Sequence, residues 1–211
     1  LLISDWYDAG VGGHLMADIK RGRIYRAHSP GHEKYEIKPP DLSTSALAIQ
    51  HLNHVNQATR YLAFQKVVES ENAVEILRDF ILATDDPRLK ARAYWCLASI
   101  DGHGPDATSM ALGETSPDLR MAAVRMGRQF LSKDQLLLLL ENARADEHPG
   151  VQREMAISLR FLDIPQSDVS WTDLAQRYNG HDRWFLEALG IGSDLHADQR
   201  LTSYLRTMHL S

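Results

Sequence analysis

The sequence predicts an all-α fold, a right-handed α-α superhelix of stacked helical hairpins, preceded by a short β or irregular segment. Three observations lead there. A proline-anchored pattern recurs along most of the chain, aliphatic-rich and alanine-rich stretches alternate at helical spacing, and composition changes near residue 41. The 211 residues suit one domain, or one domain with an appendage. At 44% hydrophobic and 24% charged residues the chain can bury a core, which argues against a disordered polymer.

Residues 1–41 hold five of the 13 glycines and three of the eight prolines, a composition suited to turns. Within them, residues 1–7 and 22–27 read as strands. The second alternates Arg23 with Ile24 and Tyr25 with Arg26, the period of a strand with one wet face. Two strands are rarely stable alone in water, so this segment is expected to join a sheet or lie on a helical surface. Gly10-Val11-Gly12-Gly13 superficially resembles a phosphate loop. It lacks the Gly-Lys-Ser/Thr ending and a surrounding strand–turn–helix unit, so it reads as a turn.

From Asp41 onward the pattern is helical and repeats. Its anchor is a turn and a proline, then an apolar residue, then small residues at helical spacing. It appears at Asp86-Pro87-Arg88-Leu89-Lys90-Ala91, at Ser116-Pro117-Asp118-Leu119-Arg120-Met121 and at His148-Pro149-Gly150-Val151-Gln152-Arg153. The prolines stand 30 and 32 residues apart; a further step of 32 backward reaches Val55 and one forward reaches His181. Five registers of one period mark a row of units that each bury a neighbour's apolar face. Proline suits the first helical turn, where its missing N–H has no partner to lose. The helix before each anchor carries long aliphatics, such as Leu77, Phe80 and Ile81; the helix after it carries alanines that permit close approach. The predicted helix pairs are 43–53/56–69, 72–84/87–100, 106–114/117–131, 133–146/149–162 and 169–178/182–192, with a closing helix at 197–208. The domain reading is therefore 1–41, a β-hairpin or extended segment, and 42–211, the helical row.

Several chemistries are excluded or reduced. Net charge is −5 and the pI is near 6.0, which argues against a surface that tracks nucleic-acid phosphates. Apolar runs such as Leu136 to Leu140 are too short to cross a bilayer. A single cysteine, Cys96, excludes an internal disulfide, a CxxC redox pair, a CxxCH haem attachment and a multi-cysteine zinc site. Its neighbours Tyr94, Trp95 and Leu97 mark it as a packed thiol. Among ten histidines, His51 and His54 share helical spacing but lack a third ligand at matching distance. His14 with Asp18 reads as a structural hydrogen bond, and His28 and His32 flank the turn at Pro30-Gly31. The chain starts at Leu1 without an initiator Met, which reads as an excised piece or a processed form and leaves its compartment unassigned.

The anchors Asp-Pro-x-Leu-Lys and Ser-Pro-x-Leu-Arg resemble HEAT repeats of the short bacterial kind, over roughly residues 42–208. Ser4-Asp5-Trp6-Tyr7-Asp8, Val11-Gly12-Gly13-His14 and Arg21-Gly22-Arg23-Ile24-Tyr25-Arg26 resemble the last propeller strands of the membrane-bound-dehydrogenase family of planctomycete and verrucomicrobial type. The segment Gly180-His181-Asp182-Arg183-Trp184-Phe185 is similar to that family's last repeats. In the family a sugar-dehydrogenase-like propeller runs into HEAT repeats and ends in a c-type haem domain. The resemblance implies a cell-envelope protein in which this chain is a linker and scaffold. The quinone and haem sites would then lie outside these residues, and the partner would be another protein or the parent's flanking domains. HEAT-like metalloenzymes of the deoxyhypusine hydroxylase type need several His-Glu dyads, and the sequence offers only His32-Glu33.

The resemblance also implies that the second helix of each pair lines a concave surface, where equal offsets in successive repeats form columns. Eleven residues after the turn marker come Lys66, Arg128 and Arg160, with Ala98 interrupting; five after it come Arg60 and Arg92. Such a ladder grips an acidic partner, or it complements helix C-termini and pairs with neighbouring carboxylates. Both readings stand on sequence alone. Trp171, Tyr178, Trp184 and Phe185 cluster near the last full repeat, as binding hot spots do, or as residues that fill the end of a row do. Arg60, Lys66, Arg92, Arg128, Arg160 and Trp184 are the candidate partner-binding residues. The alternative function is an enzyme of the DNA-alkylation glycosylase or bilin-lyase type on the same scaffold. Its acidic group would be Glu187 or Asp182, beside Trp184.

Overall fold

A computed structural model describes residues 2–5, 23–27, 30–31 and 38–209, and the chain divides into two units, Leu1–Pro39 and Pro40–Ser211. In the first unit β1 (Leu2–Asp5) pairs antiparallel with β2 (Arg23–Arg26), Leu2 opposite Arg26 and Ile3 opposite Tyr25. Leu2, Ile3, Ile24 and Tyr25 are all exposed. The turn at Gly10–Gly13, the pair His14/Asp18, His28 and the dyad His32-Glu33 lie outside the described residues.

Among the described residues the second unit holds eleven α-helices and two 3-10 turns, and so is all-α. They are α1 (Ser45–Gln50) with a 3-10 turn (His51–Asn53), α2 (Gln57–Val68), α3 (Ala73–Ala83), α4 (Pro87–Ser99), α5 (Gly104–Leu112) and α6 (Pro117–Phe130). Then follow α7 (Lys133–Asn142), α8 (Pro149–Ser158) with a 3-10 turn (Leu159–Phe161), α9 (Pro165–Gln176), α10 (Arg183–Ser193) and α11 (Ala197–His209).

Polar caps set the starts. The side chains of Asn56, Asp86, His148 and Asp182 each accept a backbone N–H from the first turn of α2, α4, α8 and α10. Ser132 and Gln135 form a reciprocal capping box on α7. Two starts precede the sequence expectation because proline sits earlier than the apolar pattern. α5 opens at Gly104 with Pro105 behind it, and α9 opens at Pro165 rather than 169.

The second helices touch in chain order, α2 with α4, α4 with α6, α6 with α8 and α8 with α10. α1 also meets α3, α5 meets α7, α7 meets α9, and α9 meets α11. Two apolar clusters result, and α6 divides them. Leu119, Ala123 and Met126 face the cluster built with α1–α5, whereas Val124 faces the one built with α7–α10. At Gly192 α10 lies hard against α8, since a Cβ there would collide with the carbonyl of Ala156.

Ion pairs join successive units. Arg78 pairs with Asp106, Lys90 with Glu114 (3.0 Å), Arg120 with Asp146 (2.6 Å), Arg144 with Asp173 (2.9 Å) and Arg160 with Asp194 (2.6 Å). Near the last helix, Arg200 is fully buried. It donates to the carbonyls of Gly192 and Leu159 (the latter at 2.8 Å) and to Ser167 Oγ at 3.3 Å, and pairs with Asp168 at 3.4 Å. Desolvation of a guanidinium is costly unless its donors are filled. Here one side chain fills acceptors from the 3-10 turn, α9 and α10 together. Among the described residues no helix is long and apolar enough to cross a membrane.

Candidate functional site

Aligning the second helices by their first residues, Gln57, Pro87, Pro117, Pro149 and Arg183, gives spacings of 30, 30, 32 and 34. The first and last registers read from sequence, Val55 and His181, therefore each fall two residues early. Both residues lie in the loop ahead of the polar cap, and Val55 is 93% exposed. This correction rearranges the expected columns. Arg60 now aligns with Lys90 and Arg120 rather than with Arg92, and Lys66 leaves the column of Arg128 and Arg160.

The realigned column has a clear task. Arg60 Nη1 donates to the carbonyls of His54 (2.8 Å) and Val55 (3.1 Å), and Arg120 Nη1 donates to those of Glu114 (3.1 Å) and Thr115 (2.8 Å). Gln152 Nε2 reaches Asp146 O in the same way, at 3.0 Å. A long polar side chain at the fourth helical residue thus closes the preceding loop, whose carbonyls have no helical partner. Lys90, in the same column, instead reaches forward to the Glu114 carboxylate at 3.0 Å; the signal was present in the Leu119-Arg120 anchor, but loop geometry was needed to interpret it.

The other candidate cations are placed as follows. Arg92 Nη1 donates to Leu52 O, and burial together with the nearby Arg60 and Arg88 holds its pKa below the usual arginine value. Arg128 bonds Glu154 Oε2 at 2.8 Å. Arg160 lies over the Phe161 ring at 5.4 Å besides its pairing with Asp194. Lys66 is exposed and has no bonded partner among the described residues. Four of the five cations thus have internal partners.

The aromatic cluster divides too. Phe185 is buried and meets Tyr178 edge-on, and the Trp171 indole donates to Leu189 O at 3.0 Å. Trp184 is 68% exposed. It stands at one rim of a cavity of about 590 Å³ on the solvent-facing side of α6, α8 and α10. Met121 and Arg125 line it from α6, Arg153 and Ile157 from α8, and Glu187 and Ile191 from α10. Each pair is four residues apart, and so on one helical face.

The cavity floor is electrostatically closed. Glu154, 8% exposed, accepts from Arg125 Nε (2.9 Å) and Nη2 (2.6 Å) on Oε1 and from Arg128 Nη2 on Oε2. Burial pushes its pKa up, but the two guanidiniums outweigh burial and hold it below the ordinary glutamate value. Glu154 is therefore a fixed anion that ties α8 to α6, a role invisible in the sequence because both partners belong to the preceding unit. Of the two alternative acids, Asp182 caps α10 and lies 3.9 Å from Arg153, and Glu187 lies 3.6 Å from Arg183.

Elsewhere, the rings of His51 and His54 stand 5.9 Å apart, and His54 Nδ1 accepts from Asn56 N–H. No group of three or more metal-ligating side chains gathers among the described residues. Cys96 is buried in α4, where desolvation pushes its thiol up to about 12, so it is a poor nucleophile. No protein-family model matches the sequence, and no curated protein matches it either.

Proposed function

We propose that this chain is a non-catalytic α-solenoid scaffold of the HEAT type within a larger dehydrogenase-like protein, binding a protein partner or its parent's own flanking domains. The supporting observation is the solvent-facing side of α6, α8 and α10, where exposed Trp184 and Ile191 stand beside the pairs of Arg125 and Arg128 with Glu154 that tie α8 to α6. The chain-order contacts of the second helices favour a stacked row over a bundle closed on itself. In this reading quinone and haem belong to neighbouring domains; Cys96, buried and followed by Leu97, gives no attachment point for a c-type haem. The cell-envelope assignment and the dehydrogenase parentage rest on the sequence resemblance.

The test has two parts. The purified chain is assayed with sugars and a quinone acceptor, and it is titrated calorimetrically with the propeller domain expressed from the upstream reading frame. No turnover together with saturable binding is expected. Turnover by these residues alone would overturn the scaffold reading. A second reading, an enzyme of the DNA-alkylation glycosylase or bilin-lyase type, draws on Glu187, one helical turn beyond Trp184 on the same cavity. Binding of alkylated duplex DNA with a steep salt dependence would favour it.

A further inference from the structure

Helical phase shows which way each side of α9 and α11 is turned. Asp173 on α9 and Arg177 at its C-terminal end turn back to Arg144, just past α7, at 2.9 Å and 2.7 Å. One residue later, a rotation of about 100°, the side chains turn to α10. Leu174 is buried in the cluster shared with α10, and Tyr178 meets Phe185 edge-on. α11 repeats the arrangement against α9. Arg200 pairs with Asp168, Ser203 Oγ accepts from Thr172, and Thr207 Oγ1 accepts from Gln176 at 3.0 Å. One residue after Arg200 and Ser203 come Leu201 and Tyr204, and Leu205 lies one turn beyond Leu201. The side that α9 turns to its second helix is therefore apolar on α11 too, and among the described residues α11 has no second helix to cover it.

α10 is open beside it. The eighth residue of a second helix faces the next pair: Tyr94 donates to Glu114 at 2.8 Å, Val124 joins the cluster built with α7–α10, and the carbonyl of Ala156 meets Gly192. All three are buried. On α10 the same place is Gly190, which is exposed and where a Cβ would meet nothing within 4 Å. One turn earlier, in the column of Arg60, Lys90 and Arg120, stands Leu186. Leu186, Leu201 and Leu205 are each about half exposed.

We propose that the α10–α11 end of the row, at Leu186, Gly190, Leu201 and Leu205, seats an amphipathic α-helix of a partner protein in the place of a sixth second helix. The proposal rests on the scaffold reading and names where the scaffold is met and by what. The occupant's form follows from contacts the fold already makes. α4, α6 and α10 each lie against their own first helix and the preceding second helix, so a helix laid on α11 and α10 continues a repeated interface. A loop or extended segment would bring unpaired backbone groups over these leucines; a helix brings its own already satisfied. Leucines one turn apart call for apolar side chains three and four residues apart on the occupant, and the open surface at Gly190 admits one of them close to the α10 backbone. Within this chain α2, α4, α6, α8 and α10 are all packed into the row. A second copy therefore has no second helix to lend, and the occupant comes from another protein.

The test uses the full chain and a phage-displayed library of single helices of 14 residues, the length of α6. Enriched sequences are resynthesised and titrated by fluorescence anisotropy. They are expected to carry Leu, Ile, Met or Ala three and four residues apart on one face. Their affinity should fall about tenfold or more in Leu205→Glu and in Gly190→Leu. Both variants should keep the native circular dichroism, because Leu205 is half exposed and a side chain at position 190 enters open space; they therefore report binding alone. Three outcomes would overturn the seat: no enrichment, enrichment of sequences without helical apolar spacing, or affinity untouched by Leu205→Glu or by Gly190→Leu. Self-association of the chain that disappears in Leu205→Glu would also overturn it, by making the end of the row a contact between copies. Each of these leaves the scaffold reading standing, because that reading falls only to turnover.

Discussion

The middle of the second unit and its C-terminal end solve one packing problem with different chemistry. From α3 to α8 each unit repeats a turn, a cap and an alanine-lined helix, and ion pairs such as Lys90–Glu114 and Arg120–Asp146 reinforce an interface already made by apolar contact. At α9 to α11 the repeat loosens and α8, α10 and α9 are joined through buried Arg200. The contrast shows where a repeated sequence stops being sufficient. In the middle a neighbour's aliphatic face covers each helix; at the end, carbonyls of the 3-10 turn and of the last turn of α10 are gathered by one multidentate donor.

The comparison breaks most decisively at Arg200. Arg200→Ala removes the side-chain donor to Gly192 O and one of the two donors to Leu159 O in a dry site, unpairs Asp168, and is expected to cost about 3–5 kcal/mol in denaturant unfolding. A change below about 1 kcal/mol would show that the end is packed like the middle. Gly192→Val forces α10 away from Ala156 and should cost about 1–3 kcal/mol, with loss of near-ultraviolet signal from Trp171.

Acid sharpens the comparison on the other side. Burial raises the pKa of Glu154, Asp146 and Asp173, but their arginine partners prevail and hold each below its ordinary value. The unfolded chain then binds protons more readily than the folded one. The stability these groups give is fully present above the ordinary carboxylate range and is lost as pH falls through the lowered folded-state values. The urea midpoint should therefore fall between pH 6 and pH 3, and Glu154→Gln should show a smaller acid loss than the parent chain. An equal loss in both would remove Glu154 from the account. Arg60→Ala, which opens one loop clamp, should cost about 1 kcal/mol. Trp184→Ala should stay within about 0.5 kcal/mol, as befits an exposed side chain with no structural task.

Local sequence carried the helical architecture well and the site poorly, for physical reasons. Proline at the first helical position and caps such as Asp86 and Ser132 act within four residues, so the starts of α4, α6, α7 and α8 stand where the sequence places them. The first register slipped by two because no proline marks α2; Asn56 is its cap, and Val55, lacking any such function, was nearer the expected period. Arg60 and Lys66 change columns for the same reason, since columns depend on an alignment that a fixed step of 32 does not supply. Glu154 and Arg200 were illegible because, Gly192 apart, their partners lie 26 to 41 residues away, on other elements. Trp184 was visible as an aromatic among four. Its exposure depends on helical phase, which turns it outward while Phe185 turns in.

The most direct test is small-angle X-ray scattering from residues 40–211, the unit that holds every helix among the described residues. A compact domain of that length has a radius of gyration of about 16 Å. Helical hairpins lined up side by side must exceed that value clearly, with a distance distribution that tails to long separations. A radius at the compact value, with a symmetric distribution, would contradict a stacked row and the open end inferred from it.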